Sequence, residues 1–205
     1  MDPVRVADGL WRWTTPHPDW RPSSDPERPN SWERDVGSVL VEAADATVLI
    51  DPLVADDGWG WIDGRVGDRG RPVVVLTTLK WHRRSRDAVV ARYDASDLRP
   101  GGGRTLPAGI EPIRLRGAGE TVYWLPDAAA LVPGDRILGG HGGRGLRLNP
   151  DSWMTYLSRP PGRAGLARLL RPLLELPIER VLVSHGAPVL RDGRAALAAA
   201  LEEHG

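Results

Sequence analysis

The chain has 205 residues, 27 acidic and 27 basic side chains and no cysteine. At roughly 100–200 residues per domain, a single domain spanning 1–205 is expected, large enough to close a core without disulfides or metal. The missing cysteine excludes a disulfide framework, thiolate zinc, iron–sulfur clusters and a cysteine nucleophile, and the balanced charge argues against a nucleic-acid partner.

No apolar run approaches the ~20 residues of a membrane span, so no membrane partner is expected. The N-terminal residues lack a signal-peptide apolar core, and a cytoplasmic location is expected. All but one of the basic residues are arginine; the exception is Lys80. Nine tryptophans and no phenylalanine mean that indoles must supply much of the aromatic core, some of them half exposed with the N–H on a partner.

Val4 to Trp13 alternates as a strand or hairpin does. Thr14 to Arg34 is a long loop holding His17, Trp20 and Trp32; its tryptophans argue for order. Gly37 to Glu42 and Thr47 to Asp51 read as strands, the second stopped by Pro52. A helix is expected over Asp57 to Asp68. Pro72 to Leu76 is a continuous apolar run, the signature of a strand buried on both faces. The polar segment Thr77 to Ser85 follows, then a helix over Ser85 to Tyr93 and a glycine-rich loop over Asp97 to Pro107.

Strands are expected at Ile110 to Leu115, Thr121 to Leu125 and Ala129 to Val132, followed by the turn Pro133-Gly134-Asp135 and then Arg136-Ile137-Leu138. His141 lies in a glycine-rich loop. Arg163 to Leu176 has a helical apolar face that Pro172 must kink or end. Arg180 to Ser184 is a strand leading to His185, and the last helix starts near Asp192, an N-cap residue type. The mixture of parallel and antiparallel connections predicts a layered α/β (α+β) architecture with mixed sheets. Neither a phosphate loop nor a Gly-x-Ser-x-Gly nucleophile is present.

Polar residues gather where strands end, which is where α/β folds place their sites. The ordered segments Val48-Leu49-Ile50-Asp51, Val73 to Thr77, Tyr123 to Pro126, Leu131 to Asp135 and Val181 to Gly186 together resemble the metallo-β-lactamase superfamily. The resemblance covers roughly Val4 to Val189. It implies a four-layer αββα sandwich with the active site between the edges of two sheets, and hydrolytic chemistry on a small-molecule substrate.

The chain departs from the superfamily's zinc motif, His-x-His-x-Asp-His. Aligned from Leu76-Thr77, Thr78 and Lys80 stand at the first two histidine positions, His82 at the aspartate and Arg83 at the last histidine. The next metal histidine falls near Gly117-Ala118-Gly119, where none exists. Asp135 and His185 remain, so a standard dinuclear zinc site is not expected.

His82, Asp135 and His185 are the candidate ligands of at most one Zn²⁺ or Fe²⁺. Such an ion could generate hydroxide at neutral pH. With Lys80 these residues form the candidate catalytic set. The lysine is expected to point into the vacated metal position and pair with Asp135 or Asp51. The pocket is expected to include His17, Trp20, Trp32, Asp51, Thr78 and Arg83, with Asp51 supporting the ligands.

The competing reading is a metal-free salt-bridge cluster filling the cavity. Two functions follow: a hydrolase-like protein acting on a small ester, lactone, amide or thioester, or a non-catalytic relative that binds a small anion or a protein partner.

Overall fold

The computed structural model describes residues 1–25, 28, 31–98 and 104–204. A six-stranded sheet runs β1 (Val4–Ala7), β2 (Leu10–Pro16), β3 (Asp35–Glu42), β4 (Thr47–Ile50), β5 (Val73–Leu76), β6 (Ser96–Leu98) in both chain and spatial order. Its first four strands are antiparallel, and β4, β5 and β6 are parallel. The parallel connections carry helices α1 (Trp59–Arg69) and α2 (Arg86–Tyr93), as parallel crossovers require.

A second sheet joins β7 (Glu111–Leu115), β8 (Glu120–Leu125) and β9 (Ala130–Val132) antiparallel. A ribbon of β10 (Ile137–Gly139) and β11 (Leu146–Leu148) follows. Helix α3 (Gly162–Leu170) leads to β12 (Arg180–Val181), which pairs parallel with β9. Helix α4 (Gly193–Glu202) ends the elements.

Side-chain alternation builds the layers. Val48, Ile50, Val74 and Leu76 face Tyr123, Leu125, Ala130 and Val132 between the sheets. Leu49 and Val75 face the other way, toward Ile62 of α1 and Val89 of α2. Val122, Trp124 and Leu131 pack on Leu166 and Leu170 of α3 and Leu197 and Leu201 of α4. A strand with both faces covered must be apolar at every position, which is why these strands read as continuous runs. The layers are helix, sheet, sheet, helix, as expected.

Several local readings need correction. Asp97 lies in β6, paired parallel with β5, rather than in a loop; residues 99–103 of that glycine-rich stretch lie outside the described residues. The helix around Pro172 stops at Leu170 and continues as a 3₁₀ turn, Arg171–Glu175, because proline removes an amide from the ladder. Asp192 does precede α4, but its φ of +55° aims no side-chain bond at the helix amides. Strand β11 lacked any expected counterpart.

Candidate metal centre and its cleft

Each candidate residue sits where a strand releases the chain. Asp51 follows β4 and holds a φ of +48°, a left-handed conformation that aspartate tolerates better than most residues. Its carboxylate accepts the Thr78 amide at 2.9 Å and the Thr78 hydroxyl. Its Oδ2 also lies 2.8 Å from His82 Nδ1. His82 itself lies on the turn after β5, with its amide donating to Leu79 O.

Asp135 lies in the turn between β9 and β10. That turn is built on Glu120, whose buried carboxylate accepts the backbone amides of Gly134, Asp135 and Arg136 at 2.9, 2.8 and 3.0 Å. Gly134 is required there. A Cβ would come within 2.6 Å of Thr78 Oγ1 and 3.0 Å of Glu120 Oε2. Sequence reasoning missed Glu120, which reads as an ordinary strand-start residue; the Pro-Gly-Asp turn, rich in unpaired amides, was the only hint that an acceptor was needed.

His185 follows β12. Val36 at the start of β3 forms an isolated bridge with it, so one end of an interior strand of the first sheet meets the segment after β12 at this residue. The three side chains converge: the ligating atoms of His82, Asp135 and His185 all lie within 4.8 Å of one another, and all three residues are buried. Asp135 Oδ1 stands 3.0 Å from His82 Nε2 and 3.3 Å from His185 Nε2. Neither approach has hydrogen-bond alignment, and this buried oxygen has no hydrogen-bond partner. The other oxygen, Oδ2, accepts the Trp81 indole N–H at 3.2 Å.

This donor set fits a single divalent ion. Ligand atoms about 2.0–2.2 Å from a zinc-like ion lie roughly 3–3.5 Å from one another, the spacing found around Asp135 Oδ1. The Asp51–His82 contact also matches the usual support of a ligating imidazole, whose remote N–H is held by a carboxylate. Two imidazoles and one carboxylate suit zinc or ferrous ion.

Charges in the cluster are strongly coupled. Burial opposes a charge on His82, but the carboxylates of Asp135 and Asp51 outweigh it and raise the imidazole to about 9. Burial equally opposes ionisation of Asp135, yet the two histidines hold it well below the usual carboxylate range. Burial lowers His185, against the pull of Asp135. Glu120 is pushed up to about 7 by burial, with Arg136 resisting.

The cluster forms the floor of a cleft of about 520 Å³ walled by Trp32, Trp81, Trp153, Tyr156 and His17. Trp153 contacts His185 edgewise and Trp32 contacts it at a tilt, with centroids 5.6 and 5.8 Å away. His17 packs on Trp32 at 4.9 Å. Trp20 stands behind this wall, its indole N–H donating to Trp32 O, so it pins the loop without lining the cleft. Trp153 and Ser152, to which the sequence assigned no role, are part of the lining. His141 is exposed.

Like Trp20, Asp51 and Thr78 stand behind the lining rather than in it, and two more expectations fail. Lys80 is exposed at the mouth of the cleft, its Nζ 6.0 Å from the Tyr156 ring centroid; no carboxylate among the described residues lies within ion-pair distance of it. The expectation assumed strand-like alternation from Leu79 to His82. These residues form a tight turn, so Lys80 and His82 diverge while Leu79 and His82 are buried. Arg83 also faces solvent, paired with Asp87 at 3.2 Å. Its neighbour Arg84 lines the cleft instead.

Neither a protein-family model nor a curated protein sequence matches the chain. Solved structures do. A metallo-β-lactamase from Erythrobacter litoralis, with β-mercaptoethanol in its active site, is 16% identical at a TM-score of 0.61; the match covers 98% of this chain and 96% of that one. The metallo-β-lactamase FIM-1 from Pseudomonas aeruginosa in its mono-zinc form is 12% identical at 0.58, covering 98% and 95%. One from Hirschia baltica is 15% identical at 0.58, covering 98% and 96%. The protein therefore has the metallo-β-lactamase fold.

Proposed function

We propose that this protein is a hydrolase-like member of the metallo-β-lactamase fold with a reduced metal centre. It holds at most one divalent ion on His82, Asp135 and His185, and acts on a small ester, lactone, amide or thioester. The observation that carries this reading is the convergence of two imidazoles and a carboxylate on one buried point at the floor of an aromatic cleft. An ion held there would polarise a carbonyl oxygen and acidify water.

The chain's own residues prepare the site. Asp51 accepts the His82 Nδ1 proton and so reserves Nε2 as the ligating atom, which would bind an ion once its own proton is displaced. The Trp81 N–H occupies one Asp135 oxygen and leaves the other for the shared point. Trp32 and Trp153 cover His185 and keep bulk water from it, which strengthens every charge interaction inside.

Elemental analysis of protein purified without chelator, followed by a hydrolysis panel of esters, lactones, amides and thioesters, tests the proposal. One ion per chain with turnover of a panel member supports it. Absence of metal after zinc or ferrous loading overturns it. That result would favour the non-catalytic alternative, in which His82 forms a closed ion pair with Asp51 and Asp135 and the cleft binds a small anion or a protein partner.

A further inference from the structure

Arg84 is unusual in three respects. Its backbone φ is +39°, a conformation that disfavours any side chain with a Cβ. It is the cleft-lining member of an Arg83-Arg84 pair whose other member faces solvent. Its guanidinium also donates to three separate neutral oxygens: Nη1 to Gly37 O at 2.6 Å and to Asp51 O at 2.8 Å, and Nη2 to Ser184 Oγ at 2.6 Å. These acceptors belong to β3, to the residue that supports His82, and to the residue before His185. One planar group thus spans the seam between the two sheets.

The rest of the His185 segment is held through its backbone. Val183 O and Gly186 O accept from Arg12 Nη2 at 3.1 and 3.3 Å. Ser184 O accepts from Gly37 N at 2.7 Å, and His185 O from Gly139 N at 2.9 Å. Arg84 joins this segment to Asp51 with one side chain, beside the β3 link in which Gly37 N donates to Ser184 O and Ser38 Oγ donates to Asp51 O; the Asp51 carboxylate carries the connection on to His82.

We infer that Arg84 is the positioning residue of the metal centre: it sets the distance between the two histidine ligands by tying Ser184 and Asp51 to one rigid fork. The inference rests on the proposed single-metal reading. Lysine cannot reproduce it, because an ammonium is a point donor without the planar reach of a guanidinium. The left-handed turn directs this side chain inward.

The test compares zinc affinity, by competition with a chromophoric chelator, in the wild type, Arg84→Lys, Arg84→Ala and Val89→Ala. Val89 is a fully buried residue of α2 that packs with Leu49, Ile62 and Val75 and is not one of the three ligands, so its truncation lowers stability without altering the ligand set. Zinc binding is expected to weaken ~10–100-fold in both Arg84 variants, the usual effect of losing an outer-shell support, and to stay unchanged in Val89→Ala.

Should Arg84→Ala fail to fold, Arg84→Lys alone carries the comparison. Wild-type affinity in Arg84→Lys overturns the inference, as does an equal loss in Val89→Ala. A wild type that binds no zinc overturns the single-metal reading instead. The imidazole NMR signals of the metal-free protein then decide: unchanged His82 and His185 ring shifts in Arg84→Lys overturn the positioning role, and displaced shifts support it.

Discussion

Replacing Glu120 by alanine removes the one acceptor shared by the amides of Gly134, Asp135 and Arg136. Glu120 is only 4% exposed, so water reaches these amides poorly once the carboxylate is gone. Each stranded buried donor costs ~1–3 kcal/mol. Partial relief by water entering the new cavity brings the expected loss to about 3–5 kcal/mol. At roughly 2–4 °C per kcal/mol for a chain of 150–250 residues, the melting temperature should fall by about 6–20 °C. Glutamine retains one acceptor oxygen and should fall between alanine and the wild type. Thermal and urea unfolding measure both variants. A loss below ~1 kcal/mol in Glu120→Ala would refute the reasoning, because it would mean that the turn carrying Asp135 finds its partners elsewhere.

Without metal, the protonated His82 imidazole is paired between Asp51 and Asp135. Its folded value of about 9 lies above the ordinary 6.5, so this stabilisation is fully present below pH 6.5 and is lost as pH rises from 6.5 to 9. The loss should reach up to about 3 kcal/mol in metal-free unfolding experiments. Zinc affinity should rise across the same window, since binding displaces that proton; isothermal titration at pH 6.5 and 9 reads it. Asp51→Asn removes the carboxylate behind His82, and a zinc competition titration should show ~10–100-fold weaker binding. Lys80→Met should change stability by less than ~1 kcal/mol in thermal unfolding, because the ammonium is exposed and has no ion pair among the described residues.

The layers were legible because strands covered on both faces are apolar at every position. The apolar run at Val73 to Leu76 therefore read as a strand buried on both faces, and it is β5, between β4 and β6 in the first sheet. Strand β11 was not legible: three residues, Leu146 to Leu148, next to a glycine-rich loop carry too little pattern to show a strand. His82, Asp135 and His185 stood out because the resemblance to the superfamily puts them at its metal positions, with a metal-free salt-bridge cluster as the competing reading.

The direction of Lys80 and Arg83 did not follow from composition. In a tight turn, side-chain direction is set by each residue's φ and ψ rather than by alternation, and the φ of +39° at Arg84 brings that arginine to the cleft in place of its neighbour. Glu120 and Arg84 act through backbone groups of distant segments, and only the tertiary structure reveals such partners.

The most direct test of the single-metal account is metal stoichiometry in the wild type beside His82→Ala and His185→Ala, after loading with zinc or ferrous ion and removal of excess. The account predicts one ion per wild-type chain and loss of tight binding in each variant. Two ions per chain, or full occupancy retained after removal of either histidine, would contradict it.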